Sequence, residues 1–335
     1  MYPLIRKILF TLDPETAHAI TLKSLTLLYR LGVTRFFPKP AYSPRQVMGL
    51  QFPNPIGLAA GLDKNGDYID VLATLGAGFI EIGTITPKPQ IGNPKPRLFR
   101  LPQQQALINY MGFNNKGLQH AIHQLEKMKY RGILAISITK NSNTPLEHAV
   151  EDYRLCFQQV AKFASFIVAD VSCPNTKDSH HLQQSDFLCK LLTTLKQEQK
   201  KIHETQQKYV PLVMKISPDL TQDELQTTAD ILLQHKIDGI IATNTTTHHD
   251  REKGGLSGRP LNERSTKIIA QLHALVQKHI PIIASGGVMD ATSAQEKIAA
   301  GASLVQVYTG LIYRGPKLLR EIAYSTVTDF AKLRG

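Results

Sequence analysis

The most informative segment of the chain reads Phe166-Ile167-Val168-Ala169-Asp170-Val171-Ser172-Cys173-Pro174-Asn175. Its first part, residues 166–171, is almost entirely apolar, as is typical of a strand that is buried on both faces of a parallel sheet. Pro174 stops this strand, so Cys173 and Asn175 project from a rigid strand end. A cysteine there could act as a base or a nucleophile. A lone cysteine is nevertheless more often a small buried apolar residue, so its neighbours must decide.

Seven further runs of this kind occur along the chain, and a helical pattern follows most of them. With the first run, they predict strands over residues 56–60, 79–84, 133–139, 166–172, 212–217, 239–245, 281–285 and 304–309. Amphipathic helices are predicted over residues 146–162, 186–203, 221–235 and 262–278. Eight strand–helix repeats are typical of an α/β TIM (β/α)8 barrel. A doubly wound open sheet is the alternative fold, but its G-x-G-x-x-G turn after the first strand is missing.

Two segments interrupt this repeat. Residues 87–113 are rich in Pro, Gly and Asn, and they predict a long loop or a small hairpin over the barrel mouth. Residues 1–45 precede the barrel, which we assign to residues 46–335. Asp13-Pro14 predicts a helix N-cap with proline in the first helical position. The apolar stripes on either side of this cap comprise Leu4, Ile5, Ile8, Leu9 and Leu12, and then Ala17, Ile20, Leu27, Leu28 and Leu31. We predict a two-helix extension, either membrane-associated or a cap on the barrel core.

Charge and composition restrict the partners of this chain. Its 335 residues carry 39 Lys and Arg against 27 Asp and Glu, a formal net charge of +12, and residues 1–50 contribute +5 of it. A basic, apolar-rich head favours an anionic surface, and since nucleic-acid-binding motifs are absent, we expect a membrane and no nucleic acid. No apolar run reaches the ~18 residues of a membrane span, so this contact would be peripheral. Three cysteines without metal-ligand spacing predict a reducing compartment and no metal site.

Polar or small side chains follow nearly every predicted strand, at the end where a TIM barrel builds its active site. They include Ala60, Lys64, Thr84, Ser137, Asp170, Cys173, Lys215, Asn244 and Thr245. A single inward lysine or asparagine is commonly structural. The convergence of six such strand ends on one mouth indicates a functional site instead.

Glycine-containing turns follow the last two predicted strands, and they read Ser285-Gly286-Gly287 and Tyr308-Thr309-Gly310. Their backbone N–H groups can surround an anion, and these two loops form the usual phosphate site of the TIM barrel. We therefore predict a phosphate-bearing cofactor whose ring lies over the barrel mouth. Lys215 would lie near that ring, where its positive charge could stabilise a reduced flavin.

Six longer motifs are specific enough to indicate a family. They read Gly57-Leu58-Ala59-Ala60-Gly61-Leu62-Asp63-Lys64, Glu81-Ile82-Gly83-Thr84, Asn109-Tyr110-Met111-Gly112-Phe113-Asn114-Asn115, Lys215-Ile216-Ser217-Pro218-Asp219, Ala242-Thr243-Asn244-Thr245-Thr246 and Gly254-Gly255-Leu256-Ser257-Gly258-Arg259-Pro260. With these motifs the chain resembles the dihydroorotate dehydrogenase family, in its class 2 branch of membrane-associated, quinone-using enzymes. The resemblance covers essentially the whole chain.

This resemblance implies the oxidation of dihydroorotate to orotate in pyrimidine (UMP) biosynthesis, with FMN as cofactor and a quinone as electron acceptor. By position, FMN would contact Ala60, Lys64, Thr84, Ser137, Asp170, Lys215, Thr243, Gly258, Gly287, Tyr308 and Thr309. The substrate would contact Lys64, Asn109, Tyr110, Met111, Gly112, Phe113, Asp170, Asn175, Asn244 and Thr245. Cys173 would be the base that removes the C5 proton while hydride leaves C6.

The same resemblance places the polar end of the quinone near His18, Arg100 and Tyr308. It also implies a peripheral protein on the cytoplasmic face of the cell membrane. We expect a monomer.

Three positions depart from the class 2 pattern. The base in class 2 is serine, whereas Cys173 is the residue of class 1, and a free thiol with a pKa of about 8.5 should preserve the function. Ser137 and Asp170 stand where the family has asparagine. Asp170 lacks the amide's N–H donors and, when ionised, brings a negative charge near an anionic substrate. These departures leave two alternatives, an FMN barrel dehydrogenase of another dihydropyrimidine and a flavin-binding paralogue with reduced turnover.

Overall fold

The computed structural model describes residues 2–175, 181–251 and 253–332. Its strands are β1 (Arg45–Val47), β2 (Leu50–Phe52), β3 (Ile56–Leu58), β4 (Phe79–Ile85), β5 (Leu98–Leu101), β6 (Ala106–Asn109), β7 (Ile133–Ile138), β8 (Phe166–Asp170), β9 (Leu212–Ile216), β10 (Gly239–Ala242), β11 (Gly255–Gly258), β12 (Ile282–Ala284) and β13 (Leu304–Val307). Its helices are α1 (Tyr2–Phe10), α2 (Pro14–Arg30), α3 (Ile69–Ala73), α4 (Gly117–Lys127), α5 (Ala149–Val160), α6 (Ser185–Gln206), α7 (Gln222–Gln234), α8 (Asn262–Val276), α9 (Ala291–Ala299), α10 (Thr309–Arg314) and α11 (Lys317–Lys332).

Eight parallel strands close into a barrel in the order β3-β4-β7-β8-β9-β10-β12-β13, and β10 pairs with β9 as well as β12. Each pairs with the next barrel strand in the chain, and β13 returns to β3. The predicted TIM barrel and all eight predicted strands are confirmed. Most of the predicted strands extended too far toward the mouth. The strand predicted over residues 239–245 ends at Ala242, although Thr243 and Asn244 still donate backbone hydrogen bonds to neighbouring strand ends.

Aromatic rings fill the barrel at the amino ends of its strands. Phe79 and Phe166 begin β4 and β8, and Phe52 enters from the β1–β2 hairpin below them. The ring centroids of Phe52 and Phe79 are 5.4 Å apart, and those of Phe79 and Phe166 are 6.1 Å apart. Because the hairpin closes this end with apolar side chains, the opposite end of the barrel is left for the site.

The predicted helices around the barrel are found with small shifts of their ends. The helix predicted over residues 146–162 begins with a 3₁₀ turn at Leu146–His148 and continues as α5. The helix predicted over residues 221–235 is α7, which Thr221 caps by accepting from the N–H of Glu224. The helix predicted over residues 262–278 ends at Val276 because Gln277 adopts a left-handed conformation, with φ of 46°.

A three-stranded antiparallel sheet lies over the barrel mouth. The hairpin allowed for within residues 87–113 is present as β5 and β6, and β11 pairs with β6. The strand β11 was not predicted, because its glycines and short length hide the alternation of a strand. Glycine is required at position 255, where a Cβ atom would lie 1.9 Å from Oγ1 of Thr245.

The two predicted N-terminal helices are α1 and α2, and Asp13 caps α2 by accepting from the N–H of Thr16 at 2.9 Å. The apolar stripe of α1 is largely exposed, with Leu4 and Ile8 exposed by 67% and 69%. None of the described helices is both long enough and apolar enough to cross a membrane. The division between residues 45 and 46 stays a prediction; β1 begins at Arg45, and residues 1 and 333–335 lie outside the described ranges.

Phe79 provides a test of the closed end of the barrel. We expect Phe79→Ala to lower the free energy of unfolding by roughly 3–5 kcal/mol, because it leaves a cavity between Phe52 and Phe166. Phe36→Ala is the matched control, since that ring is 74% exposed. Denaturant unfolding followed by circular dichroism measures both variants, and equal losses would contradict a packed aromatic layer.

Candidate active site

One pocket opens at the carboxyl ends of the barrel strands, beneath the three-stranded sheet. Most of the predicted site residues line it. They are Ala60, Lys64, Thr84, Asn109, Met111, Gly112, Phe113, Asp170, Cys173, Asn175, Lys215, Thr243, Asn244, Thr245, Gly258, Gly287, Tyr308 and Thr309. The structure therefore brings together residues that the sequence separates by up to about 250 positions; which ligand each contacts stays a prediction.

Glycines shape the end of the pocket that follows β12 and β13. Gly286 and Gly287 have φ of 97° and 73°, a region that glycine adopts freely. A Cβ atom at position 287 would lie 2.3 Å from Cα of Asn262, the first residue of α8. Gly258, the last residue of β11, packs as tightly within the mouth sheet, since a Cβ atom there would lie 2.3 Å from the carbonyl oxygen of Gln105. This end therefore presents backbone to a ligand, which suits a phosphate group.

Amide and hydroxyl side chains line the middle of the pocket. Asn175 donates to Oδ1 of Asn109 at 2.9 Å, and Asn109 donates to the carbonyl of Gly255 at 3.2 Å. Within the described residues, the buried Oδ1 of Asn175 and Oγ1 of Thr245 have no hydrogen-bond partner. Since such atoms are nearly always paired, we infer that they are positioned for a polar ligand.

Lys215 is a buried cation at the end of β9. Its Nζ lies 3.9 Å from Oε1 of Glu81, a fully buried carboxylate in β4 that also accepts from Gln306. Burial alone would lower the pKa of Lys215, but Glu81 and Asp170 outweigh it and raise that pKa. Burial raises the pKa of Glu81, and the positive charge of Lys215 opposes this rise. The lysine is therefore charged, and it is held in place by the carboxylates of Glu81 on β4 and Asp170 on β8.

Asp170 lies opposite Lys215 in the pairing of β8 with β9. One of its carboxylate oxygens accepts from the N–H of Ser172 at 3.0 Å and from the hydroxyl at 2.8 Å. The Ser172 hydroxyl in turn accepts from Nδ2 of Asn244 at 3.0 Å. Asp170 thus lies next to the charged Lys215 and is linked to the side-chain amide of Asn244 by two hydrogen bonds through Ser172.

The thiol of Cys173 is surrounded by ionisable groups. Burial raises its pKa to about 12, and Asp170 adds to the rise while Lys215 and Lys64 oppose it. This corrects the expectation of a thiol with a pKa near that of free cysteine, because sequence alone does not show the desolvation. Burial likewise lowers the pKa of Lys64 to about 8, and its Nζ donates to the carbonyl of Gly61 at 2.9 Å.

Four of the predicted site residues do not line the pocket. Ser137 lies behind Thr84, and the two hydroxyl oxygens are 3.0 Å apart. Tyr110 follows β6 with its side chain off the pocket wall. Arg100 donates to the carbonyl of Leu12 at 2.7 Å, so it binds the extension. Burial and the charge of Lys64 together lower the pKa of His18 to about 4, so His18 is neutral at pH 7.

The N-terminal extension contacts the pocket wall through an apolar cluster. Phe10 of α1 packs edge-on against Tyr313 with centroids 5.3 Å apart, and the same cluster contains Tyr308, Leu107 and Met289, which line the pocket. Arg97 beneath the mouth sheet pairs with Glu15 of α2 at 2.8 Å. The extension is therefore attached beside the pocket, as a quinone route would require.

Three residues at or next to the pocket, Glu81, Gln306 and Ser172, were not predicted as site residues. Glu81 and Gln306 interrupt otherwise apolar strands, and a charged or amide residue inside a buried strand is the signal that could have found them. Ser172 gave no comparable signal, because only the fold places its hydroxyl between Asp170 and Asn244.

Comparisons with known proteins agree along nearly the whole chain. A sequence model of the family described as dihydroorotate dehydrogenase matches residues 43–326. A protein of Nitrosospira multiformis named dihydroorotate dehydrogenase (quinone) is 53% identical over 331 residues, 96% of this chain and 95% of its own. One of the same name from Acinetobacter baylyi is 50% identical, with 96% and 98% covered. The crystal structure of DHODH from Eimeria tenella in complex with ferulenol is 37% identical, with a TM-score of 0.86 and 96% and 92% covered.

The raised pKa of Cys173 predicts how this thiol reacts. Alkylation requires the thiolate, so Cys173 should react slowly between pH 7 and 9 in ligand-free protein. Asp170→Asn removes a negative charge that raises the pKa, and we expect a roughly 3- to 10-fold faster reaction. Asp223→Asn, an exposed site on α7, should leave the rate unchanged. Peptide-resolved mass spectrometry after timed iodoacetamide treatment measures the rates; a slower reaction of Asp170→Asn would contradict the electrostatic cause.

Proposed function

The chain belongs to the dihydroorotate dehydrogenase family, and on that premise we propose how its pocket performs the family's reaction. The protein oxidises dihydroorotate to orotate in pyrimidine biosynthesis, with a quinone as electron acceptor. One observation carries the assignment of residues. A thiol, the buried Lys215, the half-buried Lys64 and unpaired amide and hydroxyl oxygens meet in one pocket whose far end is built of glycines.

We propose FMN as the flavin. The turn at Gly286 and Gly287 lines the pocket with backbone that can bind a phosphate monoester, and the chain carries no dinucleotide fingerprint. Gly258, Gly287, Tyr308 and Thr309 would hold its phosphate end, and Ala60, Thr84, Lys215 and Thr243 its ring end. When bound, FMN supplies a hydride acceptor and a route for electrons to the quinone. Lys215, charged and fixed by Glu81, would place a cation beside the ring.

The substrate end is assigned to Lys64 and the pocket amides. The positive charge of Lys64 would offset the substrate carboxylate, because this half-buried side chain is only partly screened by solvent. Asn109, Asn175 and Asn244 present donors and acceptors to the edges of a pyrimidine ring, and the Oδ1 of Asn175 lacks a partner until a ligand donor reaches it.

Cys173 is the proposed base for the C5 proton of dihydroorotate. A thiol with a pKa near 12 is mostly protonated at neutral pH, so only a small thiolate fraction is reactive. That thiolate is a strong base, and basic strength rises with pKa in proton transfer. The charges of Lys64 and Lys215 favour the thiolate, and a rise of pH increases its population.

Asp170 is proposed to act through Ser172. In place of the amide donors that its asparagine counterpart would offer, Asp170 orients the Ser172 hydroxyl, which accepts from Asn244. Its negative charge is balanced by Lys215 on the next strand, which reduces the repulsion between Asp170 and an anionic substrate. This arrangement accounts for an aspartate at a position where the family has asparagine.

The N-terminal extension is proposed to lie on the cytoplasmic face of the membrane and to admit the quinone. Its exposed apolar side chains and the +5 charge of residues 1–50 suit peripheral binding to anionic lipid. Tyr308 lies between the pocket and the cluster around Phe10, and Arg100 stacks over the Phe10 ring. The neutral His18 of α2 interacts instead with Lys64, which lines the pocket. We propose that the polar end of the quinone binds among these residues, and that the protein acts as a monomer.

Anaerobic mixing with dihydroorotate tests the base. Cys173→Ala should slow bleaching of the bound flavin by roughly 10² to 10⁴, the usual contribution of a positioned base. Cys173→Ser should keep partial activity, with its pH profile moved to higher pH. In the wild-type protein the bleaching rate should climb from pH 6 to 7.5, because the thiolate population grows towards the raised pKa of Cys173 while Lys64, with a pKa of about 8, keeps most of its charge. Stopped-flow absorbance follows the flavin.

Cys189→Ala is the matched control, since Cys189 lies on α6 outside the pocket and should keep the wild-type rate. Equal slowing by the two alanine variants would show that the loss reflects structure rather than proton transfer.

The exposed stripe of α1 tests the membrane proposal. The double variant Leu4→Glu/Ile8→Glu should bind anionic vesicles at least ~10-fold more weakly, because each buried side chain of this size contributes roughly 1.5–3 kcal/mol. Turnover of a long-chain quinone in vesicles should fall with it, while bleaching by dihydroorotate stays at the wild-type rate. Leu155→Glu, on α5, is the control for an exposed leucine elsewhere. Vesicle co-sedimentation measures binding, and undiminished binding of the double variant would leave the extension as a cap.

A further inference from the structure

Lys297 is a fully buried lysine on α9 that the proposed reaction does not use. Its ammonium group donates to the carbonyl of Asn262 at 2.8 Å and to the hydroxyls of Ser265 and Thr266 at 2.6 Å each. All three acceptors are neutral and belong to the beginning of α8. The neighbouring Glu296 carboxylate instead accepts from Nδ2 of Asn262 at 2.8 Å. Burial lowers the pKa of Lys297 to about 7, as expected for a buried cation without an ion-pair partner among the described residues.

Ser265 connects this ammonium group to the glycine turn of the pocket. Its hydroxyl lies 2.9 Å from the carbonyl oxygen of Gly286 while accepting from Lys297. Gly287 packs directly on Asn262, since a Cβ atom would lie 2.3 Å from Cα of that residue. Lys297, the first turn of α8 and the glycine turn therefore form one packed unit, whose far side is the pocket wall.

The charges on the pocket wall lie at other strand ends. Two of the described residues that line the pocket are basic. Lys64 lies in the loop after β3, and Lys215 lies in β9. The glycine end offers backbone N–H groups and the amino end of α8, which favour an anion. A phosphate monoester carries between one and two negative charges at neutral pH, and Lys297 lies one hydrogen-bonded layer behind the turn that would hold it.

We propose that Lys297 is a positioning residue for the phosphate group of the flavin: through Ser265 it fixes the turn at Gly286 and Gly287, and its charge balances the bound phosphate. This inference rests on the proposed FMN cofactor. The Glu296 carboxylate also favours the charged form of Lys297, but it hydrogen-bonds to Asn262, and the three acceptors of the ammonium group named above are neutral. The phosphate and the ammonium group would therefore stabilise each other across the turn. Riboflavin has the same ring but no phosphate, so it gains nothing from the charge of Lys297.

Titration of the flavin-free full chain with FMN and with riboflavin tests this proposal. Flavin fluorescence gives both dissociation constants for the wild type, for Lys297→Met and for Lys267→Met, the last an exposed lysine on α8 as matched control. We expect Lys297→Met to bind FMN ~10-fold more weakly or worse, because a charge has been removed in a poorly solvated region. Its riboflavin affinity should stay within about twofold of the wild type, and Lys267→Met should match the wild type for both ligands.

An equal loss for FMN and riboflavin would show that Lys297 only supports the fold, and no loss for either would remove its role altogether. If Lys297→Met does not fold, Ser265→Ala keeps the cation and cuts its link to Gly286; it should weaken FMN selectively, and a loss common to both flavins overturns the proposal. A wild type that binds riboflavin as tightly as FMN contradicts the FMN assignment itself. If the wild type binds FMN more tightly than riboflavin and Lys297→Met shows the same ratio of the two dissociation constants, only the role of Lys297 is contradicted.

Discussion

Closure of the barrel is the constraint on which the remaining structure depends. The pairing of β13 with β3 joins the last barrel strand to the first, and no barrel strand keeps an unpaired edge. Because all eight strands are parallel, their carboxyl ends meet at one rim. Lys64 and Tyr308, near opposite ends of the barrel sequence, therefore line the same pocket. The aromatic layer around Phe79 fills the other end, so ligands have access from one side only.

Within this rim the charges depend on one another. Glu81 and Asp170 raise the pKa of the buried Lys215, and the charge of Lys215 in turn opposes the effect of burial on the pKa of Glu81. Asp170 also raises the pKa of the Cys173 thiol, so the strength of the proposed base is set by the same network. The unusual aspartate and the unusual cysteine of this class 2 chain thus lie in electrostatic contact, and a change at one alters the other.

The mouth sheet and the N-terminal extension connect this charged site to an apolar surface. The β5–β6 hairpin supplies Leu107 to the pocket and Arg97 to Glu15, so it contacts both parts. Phe10 of α1 reaches the cluster that contains Tyr308, while the opposite face of α1 leaves its apolar side chains exposed. One face of α1 therefore packs on the pocket wall while the other is exposed. This arrangement suits an electron acceptor that arrives from a lipid phase.

Much of this organisation could be predicted from sequence, because it follows from local patterns. Eight apolar runs predicted the barrel strands, Asp13-Pro14 predicted the start of α2, and residues at strand ends predicted most of the pocket wall. The strand β11 was not predicted. Its Gly255 is required by the close approach of Thr245, and this strand does not show the alternating pattern that would predict it.

Tertiary structure alone decided which strand-end residues reach the pocket and what their charges are. Ser137 lies behind Thr84, and Arg100 binds the extension, although both occupy the expected positions in the chain. The pKa of Cys173 depends on desolvation and on Asp170 three residues before it, and the role of Lys297 depends on the packing of α9 against α8. Sequence specifies strands and side-chain chemistry through short-range patterns. Burial and electrostatics depend on distances in space, which exist only once the barrel has closed.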